Sequence, residues 1–79
     1  MKVRLFASLR DLAGSSEIDV QAPDVGSMLD GLGARFGPEF ERIMRAGTVV
    51  VGGETAGRER TLGPEDEVAI LPPVSGGRE

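Results

Sequence analysis

The residues best placed to do chemistry are the last ones, Pro72-Pro73-Val74-Ser75-Gly76-Gly77-Arg78-Glu79. An apolar strand runs into two prolines and then into a diglycine. Proline has no amide hydrogen to donate, so a sheet ladder stops at Pro72. Beyond it the pattern predicts a thin, extended, mobile tail over 72–79. Gly76 and Gly77 lack a Cβ and could enter a channel too narrow for any other residue. A tail of this kind suits a carrier that presents a main-chain carboxylate to another protein's active site. Side-chain chemistry is scarce by comparison. The chain has no cysteine and no histidine. That removes disulfides, thiolate nucleophiles and persulfide carriage, together with the commonest general base and metal ligand. No carboxylate cluster with catalytic spacing stands out, and we expect no catalytic residue, no metal and no bound cofactor.

Composition narrows the class further. Seventy-nine residues suit one small domain, which buries roughly 60% of its unfolded surface. The formal net charge of −4 and an aromatic set of three phenylalanines argue against nucleic-acid binding, which calls for a basic face or a stacking platform. No apolar run approaches the length of a membrane span or a secretory leader, so a cytoplasmic location is expected.

The elements that must hold the tail follow from periodicity. Lys2 to Ala7 alternates, with Val3, Leu5 and Ala7 on one face and Lys2, Arg4 and Phe6 on the other, and reads as a strand. A turn is expected around Gly14-Ser15-Ser16, then a second strand from Glu17 to Gln21 with Ile18 and Val20 inward, completing a hairpin. Asp24 is placed to cap a helix whose Val25, Met28, Leu29, Leu32 and Phe36 fall on one stripe. Gly26, Gly31 and Gly33 weaken that helix, so it must depend on packing. Gly37-Pro38 ends it. A shorter segment, Glu39 to Arg45, puts Phe40, Ile43 and Met44 on one side and stops at Gly47. Thr48 to Val51 is a β-branched strand. Gly52-Gly53 suits a tight turn with positive φ. Glu54 to Arg60 reads as a short edge strand or loop. Leu62 to Asp66 is a turn with Pro64 in its second position, and Glu67 to Leu71 is a final strand with Val68 and Ile70 inward. Hairpins at both ends of a helical crossover predict an α+β domain over 1–71, with one main helix across a mixed sheet of four to five strands.

Four weaker motifs have ordinary explanations. Gly31 to Gly37 has the wrong spacing and context for a dinucleotide fingerprint. Glu65-Asp66-Glu67 reads as a solvated turn, and Met28 and Met44 as core packing. Arg35, Arg42 and Arg45 read as a solvated helix face.

Across nearly its whole length the chain resembles the β-grasp, ubiquitin-like sulfur carriers of the ThiS and MoaD type, above all the MoaD-type small subunit of molybdopterin synthase. The residues carrying the resemblance are Lys2 to Ala7, Leu9 to Gly14, Val49-Val50-Val51-Gly52-Gly53-Glu54, and the run from Leu62 to Gly77. The last run, with Pro72-Pro73-Val74 and Gly76-Gly77 at a set distance from Asp66-Glu67-Val68, is the most specific. The resemblance implies a β-grasp fold. It implies that the terminal glycine, here Gly77, is adenylated by a ubiquitin-activating-enzyme-like adenylyltransferase that uses ATP, then converted to a thiocarboxylate. Pro72, Pro73, Val74, Ser75 and Gly76 would thread into a molybdopterin synthase large subunit, or another sulfur-accepting enzyme. There the sulfur passes to cyclic pyranopterin monophosphate, so this chain is a non-catalytic carrier. Phe6 and Leu71 would share the exposed face of neighbouring first and last strands and contact partners.

Two departures stand out. Gly52 replaces a usual asparagine, which conserves turn chemistry. Arg78 and Glu79 extend past the second glycine, where such carriers end; either a processing protease removes them before activation, or the Glu79 carboxylate is presented instead, with a side chain that fits a glycine-wide channel badly. Two other roles share this architecture: a sulfur carrier for cysteine or thiolated-metabolite synthesis, and a ubiquitin-like modifier joined through Gly77. The single lysine, Lys2, leaves little scope for polymeric chains.

Overall fold

The computed structural model describes residues 1–73. Its elements in chain order are β1 (Lys2–Leu5), α1 (Ala7–Ala13), β2 (Glu17–Asp19), α2 (Val25–Phe36), α3 (Pro38–Ala46), β3 (Thr48–Val51), β4 (Glu54–Thr55) and β5 (Glu67–Leu71). The strands form one mixed sheet in the order β2-β1-β5-β3-β4. Only β1 and β5 run parallel; the other neighbours are antiparallel. The first and last strands therefore lie side by side at the centre of the sheet, as the resemblance implied.

One face of the sheet supplies Val3, Leu5, Ile18, Val49, Val51, Val68 and Ile70 to the core. The helices cover it with Leu9, Val25, Met28, Leu29, Leu32, Phe40 and Met44, and Leu62 joins them. No polar side chain is buried among the described residues. Burial of this stripe offsets the low helix propensity of the glycines in α2, because each buried aliphatic side chain contributes about 1.5–3 kcal/mol.

The start of α2 is held from two directions. The Asp24 carboxylate accepts the Ser27 amide at 2.7 Å. The carbonyls of Arg60 and Arg58 accept the amides of Val25 and Gly26. Three amides that a helix leaves orphaned at its N-terminus thus find partners. Gly37, with φ +99, stops α2, and Pro38 opens α3 at a position where its missing amide costs nothing.

The predicted turns form as expected. Gly52 and Gly53 have φ of +58 and +85 and close the β3–β4 hairpin. At Gly63-Pro64-Glu65-Asp66 the Asp66 amide donates to the Gly63 carbonyl, and the Asp66 carboxylate accepts the Gly63 amide in return.

Three expectations need correction. The first strand ends at Leu5, not Ala7, and Ala7 is exposed with φ +52. The stretch expected to lead straight into a turn is instead the helix α1, ended by Gly14 in the left-handed conformation. Leu9, fully buried, does the packing assigned to Ala7. The second strand stops at Asp19, short of Gln21, and Val20 is only partly buried.

Candidate functional site

The outer face of the sheet carries the alternate residues of each strand. Register places Arg4 opposite Ala69, and Ala69 opposite Val50. Lys2 pairs in register with both Asp19 and Glu67. One step further along, past the Leu5–Ile70 pair, β1 gives way to Phe6 and β5 ends at Leu71, which faces Thr48. Phe6 is 42% exposed and Leu71 36%. The two residues expected to form a partner surface therefore stand at the ends of adjacent parallel strands, on the solvent side. Phe6 continues the exposed alternation of Lys2 and Arg4. It also borders an open depression of about 600 Å³ shared with Lys2, Arg4, Glu67 and Ala69.

The loop after β4 does not cover Phe6, which stays exposed. It lies elsewhere. Its Arg58 carbonyl accepts the Gly26 amide, and its guanidinium reaches Asp30 at 3.3 Å. The loop is thus strapped to α2 on the opposite side of the sheet.

Pro72 is partly buried and Pro73 exposed, directly after Leu71. Val74, Ser75, Gly76, Gly77, Arg78 and Glu79, expected to thread, to carry the acyl group or to be removed, lie outside the described residues. The structure fixes where the C-terminal segment leaves the sheet, which is beside Phe6 at the end of the central parallel pair.

The perturbed titrations lie away from this face. The Ser27 amide and hydroxyl hold the Asp24 carboxyl below the usual carboxylate range. Hydrogen bonds from Arg45 and then Arg58 do the same for Asp30. Glu41 and Asp30 raise Arg45, which bonds both at 2.9 Å. These are ties between α2, α3 and the loop. Arg42 approaches Glu39, and Arg35 lies 4.9 Å over the Phe36 ring, so the arginines of this region are divided among separate contacts. Met28 and Met44 are core residues, each 1% exposed. Among the described residues no group of three or more acidic side chains is gathered to hold a metal. No helix among them is long and apolar enough to cross a membrane.

Two features of the site escaped the sequence reading. One is Ala7, whose positive φ turns the chain immediately after Phe6. The other is Gly47, which packs against the end of β5. The end of a helical segment was legible at Gly47, but nothing in a linear sequence shows which distant backbone lies against it.

Comparison with known proteins agrees with this geometry. The family model of the ThiS family matches residues 3–77. The molybdopterin synthase sulfur carrier subunit of Arabidopsis thaliana is 31% identical over 80 aligned positions, covering 98% of this chain and 82% of that protein. The small archaeal modifier protein 1 of Methanosarcina acetivorans superposes with a TM-score of 0.84 at 30% identity, covering 96% of this chain and 94% of the other. The Haloferax volcanii protein of the same name gives 0.74 at 32% identity, with 98% of each chain covered.

Proposed function

Because the chain belongs to the ThiS family, we propose that it is a sulfur carrier, the small subunit of a molybdopterin synthase, which holds sulfur as a thiocarboxylate on Gly77. The observation that carries this reading is the exit of the C-terminal segment at Leu71-Pro72-Pro73, beside the exposed Phe6, in a chain similar over nearly its full length to a plant protein of that name.

The chemistry needs nothing from the side chains of this domain. A carboxylate is a poor electrophile. Attack of the Gly77 carboxylate oxygen on the α-phosphorus of ATP releases pyrophosphate and gives an acyl-adenylate whose carbonyl carbon is open to attack. A sulfide-level donor then displaces AMP and leaves –COS⁻. Both steps belong to an adenylating partner, in the cytoplasm, and sulfur release belongs to a larger subunit. This chain supplies delivery: an apolar contact at Phe6 and Leu71 to seat the domain, and the segment from Pro72 to Gly76 to reach a buried centre. Only a terminal carboxylate on Gly77 can enter this sequence, so a protease removes Arg78 and Glu79 first.

The likeness to small archaeal modifier protein 1 favours a second use of the same activated carbonyl, attack by a lysine amine of another protein to give an isopeptide. Intact mass spectrometry separates the two. The chain 1–77 is incubated with ATP, its adenylating enzyme and a sulfide donor. Carriage predicts the sulfur-for-oxygen mass increment on 1–77 and none on 1–79. An unchanged mass for 1–77, with the adenylating enzyme shown to be active, refutes carriage. Adducts to lysines of other proteins without a thiocarboxylate species would establish the modifier role instead.

A further inference from the structure

Gly47 joins α3 to β3. Its φ of −91° lies on the side of the backbone map that every residue uses, so a left-handed conformation does not explain the glycine. Clearance does. A Cβ at this position would collide with the carbonyl oxygen of Leu71, and would stand 3.0 Å from the Leu71 carbonyl carbon and 3.1 Å from the Pro72 Cα. All three are backbone atoms, and they sit where the β5 ladder closes on Thr48 and the chain passes into Pro72-Pro73.

The contrast with Gly33 is instructive. A Cβ there would meet only the end of the Glu41 side chain, which can rotate away. The last peptide of β5 cannot. Gly47 is itself pinned, because its amide donates to the carbonyl of the buried Met44 at 3.1 Å. An added methyl group would therefore push on Leu71 and Pro72 rather than retreat. Proline fixes its own φ, so a changed angle at Leu71 passes into the segment that follows instead of being absorbed.

We propose that Gly47 is a positioning residue for the carrier segment: the absent side chain lets the end of β5 lie against the α3–β3 junction, which sets the direction in which Pro72-Pro73 sends Gly77 toward the partner's centre. The inference rests on the reading of Gly77 as the acyl position. Gly47 touches no reacting atom. Its effect belongs in the rate of the acyl step, whereas loss of the docking contacts at Phe6 and Leu71 belongs in the affinity.

The test uses the chain 1–77, ATP and an adenylating enzyme of the ubiquitin-activating type from the same cell, with single-turnover AMP transfer and the dissociation constant measured separately. At saturating partner, where a displaced Leu71 contact no longer enters the rate, Gly47→Ala should transfer AMP at least about tenfold more slowly than the parent, since misplacement by about 1 Å can cost up to 10²-fold. Leu62→Ala, which opens the core beside Met1, Val20 and Ala22 rather than beside Gly47, should keep the parent rate below its melting temperature. A parent rate for Gly47→Ala, or an equal loss in Leu62→Ala, overturns the proposal. One glycine inserted between Leu71 and Pro72 tests it without touching Gly47: direction is released, and the same slow transfer at unchanged affinity is expected. Parent-like transfer by that insertion refutes the proposal even if Gly47→Ala fails to fold. If the unaltered 1–77 chain is never adenylated, the carrier reading itself fails, and the role of Gly47 falls with it.

Discussion

Phe6→Ala is the substitution that tests the docking face most directly. Phe6 is 42% exposed. A phenylalanine presents roughly 200 Å² when free, so about 80 Å² of ring remains for a partner to cover. At about 25 cal/mol per Å² that burial contributes roughly 2 kcal/mol, or about a 30-fold change in the dissociation constant. Phe6 is not a member of the core cluster, nor one of the partly buried hydrophobics packed against it. Its loss should therefore cost the isolated domain only about 1 kcal/mol. Calorimetric titration of the large subunit, with a thermal melt of each variant, measures both quantities.

Leu12→Ala is the matched control. Leu12 is also 42% exposed, but it lies on α1 rather than on the outer face of the sheet. It should bind within about twofold of the parent, since scattered exposed apolar residues are ordinary. If Phe6→Ala binds within about threefold of the parent while folded, the sheet face is not the docking surface. If Leu12→Ala weakens binding as much as Phe6→Ala does, the contact is centred on α1 and the row of Phe6, Leu71 and Thr48 has been misread.

Other expected outcomes concern the same face and the frame behind it. Leu71→Ala should also weaken large-subunit binding, and a double variant with Phe6→Ala should fall short of the summed losses, because adjacent residues filling one pocket couple; strict additivity in titration would separate them into two sites. Gly53→Ala should lower stability by about 1–2 kcal/mol, through the left-handed backbone alone, since φ is +85° and nothing stands within 4 Å of the added methyl. Gly31→Ala, equally free of neighbours but in mid-helix, should raise stability by up to about 1 kcal/mol; melts that move in the same direction would refute the distinction. Asp24 and Asp30 both titrate below the ordinary value when folded. Their contribution is complete above about pH 4 and is lost as pH falls through the lowered folded values. Asp24→Asn, which keeps an acceptor for the Ser27 amide, should flatten the acid side of the melting profile and leave neutral pH almost unchanged; an unaltered acid slope would show that the cap carries no linkage.

Much of the frame was legible in the sequence because its signals were redundant. The stripe of Val25, Met28, Leu29 and Leu32, the cap at Asp24 and the stop at Gly37 all specified one helix, and α2 occupies that span. Gly52-Gly53 between two short strands left few turns open. α1 was not legible, and the reason is physical. Ala7 to Ala13 makes barely two turns, buries only Leu9, and starts at Phe6 with no side-chain cap. The alternation of Val3 and Leu5 continues by chance onto the small Ala7, so a strand seemed to run through the point where the chain turns. The spacing of Leu9 and Ala13, followed by Gly14, was the available signal for a short helix, though a weak one beside the strand pattern. Leu62 is a similar case: it stands next to a turn and sends its side chain inward.

The docking face and the core are specified by the same pairing. Val3 and Leu5 lie opposite Val68 and Ile70 in the parallel ladder, all nearly fully buried. Side chains alternate along a strand, so fixing these four inward fixes Arg4 and Ala69 outward, with Phe6 and Leu71 one step beyond. A slip of one residue in either strand would send its apolar set into water and its docking residue into the core. The core thus holds the register far more firmly than any surface contact could. A register held in this way is enough to present a defined surface. The carbonyl chemistry proposed for Gly77 is available to any polypeptide, and what this fold adds is the place and direction of presentation. Both are set where the central parallel pair ends: Phe6 and Leu71 side by side, Pro72 next in the chain, and Gly47 giving way beneath the last peptide of β5.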